Sequence, residues 1–166
     1  MSILFEFNKS DRPLLGKLFY YQSEYSLDFI EYPDEDFTKL PSARGYTSIS
    51  VDTLQIEIDI DTGKLLYPWG LFPLVNAIEK PLILPSSYYG EIYIRVRNSK
   101  LISGVSIDFP SAKNWVLYKD SSSGWIFIGD RNIIQYSFSI EFARNVIASI
   151  ENNNIVAFWM KPIVEA

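Results

Sequence analysis

The stretch 54-LQIEIDIDTGKLLYPWG-70 decides how the rest of the chain is read. Leu54, Ile56, Ile58 and Ile60 alternate with Gln55, Glu57, Asp59 and Asp61. A period of two belongs to a strand with one buried face and one wet face. Asp61-Thr62-Gly63 supplies a turn, with glycine where positive φ is easiest. Lys64 to Tyr67 returns, so Val51 to Tyr67 predicts a β-hairpin.

The pattern recurs downstream. In EIYIRVR, Ile92, Ile94 and Val96 face one way, and Tyr93, Arg95 and Arg97 the other. GVSID repeats it with Val105 and Ile107. Trp115 to Tyr118 and Trp125 to Ile128 are apolar runs joined by Ser121-Ser122-Ser123-Gly124, a second hairpin. Ile134, Tyr136, Phe138, Ile140 and Phe142 alternate with polar residues. Two last strands flank Glu151-Asn152-Asn153-Asn154, where asparagine tolerates the left-handed conformation of a tight turn.

Upstream, Ile3 to Phe7 predicts a strand. Leu14 to Tyr21 fits a strand or a short helix, the latter with Asp11 as cap and Pro13 just inside. Glu31 to Arg44 reads as a loop. Closely spaced turn signals from about residue 50 onward predict a mostly β fold. The expected architecture is a single domain over residues 1–166: an antiparallel β-sandwich or partly open barrel, with at most one or two short helices.

Composition narrows the chemistry. The chain has no cysteine and no histidine. That excludes thiolate nucleophiles, disulfides, zinc–cysteine sites and histidine general bases. Ser99-Lys100 and Ser111-Ala112-Lys113 lack the spacing of a serine–lysine pair. The glycines are scattered singly, so there is no phosphate loop. Enzyme is the weakest class, and no cofactor is expected.

Glu6 interrupts the first apolar run, and Pro68 and Pro73 break the most apolar region. Neither a signal peptide nor a membrane span is expected, and the expected location is cytoplasmic. Charge is uneven. Residues 1–63 hold 12 acids and 5 bases, net −7, while residues 64–166 hold 8 acids and 10 bases, net +2. No lysine–arginine cluster points to nucleic acid. The acidic half points to a basic partner or to solubility.

Three groups of residues are candidates for a site. The first is the acidic loop Glu31, Tyr32, Asp34, Glu35 and Asp36, where carboxylates speed encounter with a basic surface and the tyrosine anchors it. The second is the row Glu57, Asp59 and Asp61. Asp59-x-Asp61-x-Gly63 echoes the start of a calcium loop, but no acid between 64 and 78 closes it. Glu57 and Asp59 could form a glycosidase-like pair, although such pairs flank a cleft from different strands. If their strand neighboured that of Arg95 and Arg97, the row would be a cross-strand ion ladder. The third group is Tyr88, Tyr89 and Trp69, which could stack on sugar rings in a carbohydrate-binding module or complete a sheet-edge aromatic cluster.

The phrases ISVDTLQIEIDIDTGKLLYPWG, GVSIDFPSAKNWVLYKDSSSGWIFIGD and IEFARNVIASIENNNIVAFWMKP resemble immunity proteins of bacterial polymorphic toxin systems, especially those of contact-dependent growth inhibition. The likeness spans residues 48 to 162. It rests on ordered strand–turn phrases, not on a catalytic signature. It implies a small cytoplasmic protein that binds the C-terminal domain of a cognate toxin, a basic nuclease in many such systems, and blocks it by stoichiometric occlusion. It implies no site residues position by position.

Overall fold

The computed structural model describes residues 2–32, 45–97, 99–109, 112–132 and 138–166. The chain opens with β1 (Ser2–Lys9), β2 (Gly16–Tyr21) and β3 (Ser26–Glu31). It continues with β4 (Tyr46–Val51), β5 (Leu54–Asp59), β6 (Leu65–Leu71), β7 (Ile78–Glu79) and β8 (Tyr88–Arg97). After β9 (Ile107–Asp108) come β10 (Trp115–Lys119), β11 (Ile126–Asp130) and β12 (Phe138–Ala143). The last strands are β13 (Val146–Glu151), β14 (Asn154–Met160) and β15 (Ile163–Glu165). The helical elements among the described residues are single 3-10 turns at Leu74–Asn76 and Ala112–Asn114.

The strands form two open sheets packed face to face. One runs β1-β8-β12-β13-β14-β11-β10-β7, and the other runs β15-β2-β3-β6-β5-β4-β9. The expected mostly β sandwich is what forms. Its hairpins are antiparallel, but β7–β10, β8–β12, β2–β15 and β4–β9 pair in parallel, so both sheets are mixed.

Local chemistry explains the elements. In β2 the buried Leu18 and Tyr20 alternate with Lys17 and Phe19, so the helix option at Leu14–Tyr21 loses to strand periodicity. Gly63 turns the β5–β6 hairpin at φ +79°, and Asn152 and Asn153 turn β13–β14 at φ +52° and +62°. The tip of the β5–β6 hairpin locks onto the other sheet. The Ile94 N–H donates to the Gly63 carbonyl at 2.8 Å, and Arg95 Nη1 donates to the Thr62 carbonyl at 2.6 Å.

One continuous apolar cluster draws on both sheets. Ile49, Ile56 and Ile58 come from one side, and Ile92, Ile150 and Phe158 from the other, all fully buried. The rings of Phe109, Trp115, Phe142 and Phe158 interlock edge-on or tilted within it. Tyr20 is buried at the interface, and its hydroxyl donates to the Phe72 carbonyl at 2.7 Å.

The two outer faces differ. On the eight-stranded sheet, Val116, Phe127, Ile147, Ala157 and Trp159 form a second buried cluster, against which Leu82 packs. The outer face of the seven-stranded sheet carries polar and charged side chains, among them Lys17, Asp28, Gln55 and Glu57.

Candidate functional site

Cross-strand register assigns the outer face of the seven-stranded sheet. Phe19 pairs with Asp28, Tyr21 with Ser26 and Lys17 with Ile30, all pointing away from the buried pairs Leu18–Phe29 and Tyr20–Leu27. Gln55 pairs with Trp69, and Ser48 with Glu57, on the same outer side. Towards β9 the surface is a ladder of side-chain hydrogen bonds. Ser48 donates to Gln55 Oε1 at 2.7 Å, and Ser50 donates to Asp108 Oδ1 at 2.9 Å. Towards β2 it becomes acidic and aromatic.

A β-bulge builds the middle of this face. Ile56 pairs with Pro68 and Ile58 with Leu65, so two steps on β5 face three on β6. Leu66 and Tyr67 share the place opposite Glu57. The Tyr67 ring stacks on Phe29 at 5.2 Å. Its phenol is pushed up to about 12 by burial and then by Glu57, Tyr46, Glu31 and Asp28. Glu31 and Glu57, read from sequence as parts of two alternative sites, therefore act on one hydroxyl.

Neither carboxylate is at ease there. Burial raises the pKa of Glu57, against the effect of a hydrogen bond from the Trp69 side chain. Burial also raises that of Glu31, with Lys64 pulling the other way. Among the described residues Asp28, Glu31 and Glu57 form no ion pair; Lys64 pairs with Glu91, Arg95 with Glu6, and Arg144 with Glu141. The conditional ion ladder between Glu57, Asp59, Arg95 and Arg97 does not exist. β8 lies between β1 and β12, and β5 lies between β6 and β4. Large side chains reach solvent around the acids: Tyr32, Ile30 and Trp69 are 49%, 51% and 38% exposed.

The rest of the acidic row is used differently. Asp59 is buried, and both its oxygens serve the turn. Oδ1 accepts from the Asp61 N–H at 2.9 Å, and Oδ2 accepts from the Thr62 hydroxyl at 3.0 Å. That is turn chemistry, and it leaves Glu57 without a second free carboxylate on its strand. Asp61 is exposed at the hairpin tip, beyond the end of β5. Asp34, Glu35 and Asp36 lie outside the described residues.

Tyr88 and Tyr89 are exposed at the start of β8, with Lys9 Nζ over the Tyr88 ring at 3.8 Å. They belong to the other sheet from Trp69, so the three aromatics make no common platform. A cleft of about 320 Å³ between the sheets is lined by Leu54, Phe72, Trp115 and Ile128, with Asp52 and Lys113 as its charged groups. None of the acids read from sequence lines it. The arrangement is a surface and not a cleft: acids that form no ion pair among the described residues, set between aromatic rings.

Reading from sequence missed Tyr67, Tyr46 and the Phe19–Tyr21 pair, whose rings stack at 6.0 Å. Alternation in GKLFYY could have placed Phe19 and Tyr21 outward. Nothing in the letters LLYPWG announces the bulge that turns Tyr67 towards Glu57. Compared with protein-family models and with curated proteins, the chain matches none.

Proposed function

We propose that this chain is a binding protein of the immunity type. It neutralises a cognate toxin domain by stoichiometric occlusion and performs no reaction of its own. The observation that carries this reading is the outer face of the seven-stranded sheet together with the end of β3 beside it, where Asp28, Glu57 and Glu31 form no ion pair among the described residues. Carboxylates crowded and partly desolvated in this way gain from an incoming cation. Tyr32 and Trp69 supply the aromatic area that anchors interfaces. A basic nuclease domain presents the complementary surface, the one it uses for nucleic acid. The strand–turn phrases that resemble immunity proteins of contact-dependent growth inhibition support the same reading, as does a net charge of −7 in the first 63 residues. In this reading the protein works in the cytoplasm and has no nucleic-acid or membrane partner.

The test is co-purification of the tagged chain from its native host at low salt. The reading expects one basic polypeptide at equal stoichiometry, released as salt rises, whose toxic activity the purified chain abolishes. A chain recovered alone while its cognate toxin is being expressed contradicts it.

A further inference from the structure

The connection Lys80–Ser87 joins β7 at one border of the eight-stranded sheet to β8 near the other. It must pass β10, β11, β14, β13 and β12 to do so. Leu82 packs against the cluster formed by Val116, Phe127, Ile147, Ala157 and Trp159, which places the crossing over the outer face. Six inter-strand spacings amount to about 29 Å. Nine extended residue steps from Glu79 to Tyr88 reach about 30 Å. The crossing has little slack, so it cannot bow away from the sheet at its middle. It can leave only by releasing one end.

The two ends are held unequally. At the far end, β8 is paired along its length with β1 and also with β12. At the near end, β7 is two exposed residues bridged to Tyr118 and Lys119. The polar attachments of Ile78–Ser87 among the described residues converge on the end of β10 and the turn after it. The Lys80 N–H donates to the Lys119 carbonyl at 2.8 Å, and Lys80 Nζ lies 4.6 Å from the centre of the Tyr118 ring. The Leu82 N–H donates to Asp120 Oδ2 at 3.0 Å. Glu79 accepts from the Ser121 N–H at 2.8 Å and from its hydroxyl at 2.7 Å. From Ile83 to Ser87 the backbone makes no hydrogen bond with another described residue.

Asp120 also shapes that turn. Its Oδ1 accepts from the Ser122 N–H and hydroxyl, both at 3.0 Å, and from the Ser123 N–H at 3.4 Å. One carboxylate therefore holds the receiving turn and the crossing segment together.

We propose that Ile78–Ser87 is a flap, hinged at Tyr88 and latched through Asp120, whose release bares the apolar face of Phe127, Ile147 and Trp159 while the sheet beneath stays folded. The chain has no cysteine, so Leu82→Cys places a single thiol under the flap. Its reaction with an aromatic disulfide reagent reads opening directly. Charge-assisted hydrogen bonds are the stronger kind, so adding Asp120→Asn should speed labelling about tenfold. Amide protection in Ile147–Ile150 and Ile155–Phe158 should stay as it is in the Leu82→Cys parent. An unchanged labelling rate overturns the proposal. So does acceleration matched by equal loss of protection in β13 and β14, because opening is then global. Should the Asp120→Asn protein not fold, Glu79→Gln removes the milder clamp. It should speed labelling about threefold, with the same two overturning results.

Discussion

Trp69 on β6 stands beside the carboxylate of Glu57 on the neighbouring β5 and opposes the rise that burial gives its pKa. The contact sets a large ring, 38% exposed, at the edge of the acidic patch. A ring held in place loses little freedom on binding and makes a good anchor. Trp69→Ala should weaken partner binding by about 2 kcal/mol or more. It should lower unfolding stability by less than about 1 kcal/mol, as substitutions at exposed positions do. Trp69→Phe keeps the ring without the donor and should fall between. Titration calorimetry and urea melts on the same samples check both halves.

Glu31 and Glu57 have raised pKa values in the folded state, burial being the main cause. A carboxyl raised on folding favours the fold while protonated, and that contribution is lost as pH rises through its folded pKa. Above its folded pKa each acid is charged and mildly unfavourable to the fold. Glu57→Gln should therefore be neutral or stabilising at pH 7, by up to about 0.5 kcal/mol given solvent screening. The advantage should vanish below pH 4. Thermal melts from pH 3 to pH 8 measure it, and a large loss of stability at pH 7 would show that Glu57 holds the fold.

Asp120 behaves in the opposite sense. Hydrogen bonds from Leu82, Ser122 and Ser123 hold its carboxyl down at about 2. A depressed carboxyl stabilises above its unfolded pKa, and the contribution is lost as pH falls through the folded one. Asp120→Asn should be less stable than the parent at pH 7. The gap should close between about pH 4 and pH 2. Urea melts over that range decide it.

The β5–β6 hairpin depends on Gly63 for two reasons. Its φ is +79°, and a Cβ there would lie 2.5 Å from the Ile94 carbonyl oxygen. Backbone cannot step aside as a flexible side chain can. Gly63→Ala should cost more than about 1 kcal/mol and loosen amide protection at Ile94, whose N–H donates to the Gly63 carbonyl. Hydrogen exchange at that amide reports it.

Much of the fold was legible because strand periodicity is local. The alternation at Leu54–Ile58 and Ile92–Val96, the Gly63 turn and the Asn152–Asn153 turn all stand where the letters put them. The parallel pairings were not legible, since which strands become neighbours is decided by distant packing. For the same reason Arg95 could not be assigned to Glu6 and the Thr62 carbonyl from sequence. Within the site, an outward Glu57 followed from its strand. Its meeting with Glu31 around Tyr67 required the bulge, a register slip that leaves no mark in composition. Asp59 had the right period for the wet face, yet the turn beside it offered two donors and took both oxygens.

The most direct test of the account is the association rate with the cognate toxin domain as salt is varied, measured for the parent chain and for Glu31→Lys with Glu57→Lys. Long-range attraction acts on encounter and is screened by salt. The account predicts a rate at least about tenfold slower in the double variant at low salt, with a flattened salt dependence. An unchanged rate and an unchanged salt slope would contradict the claim that this face meets the partner.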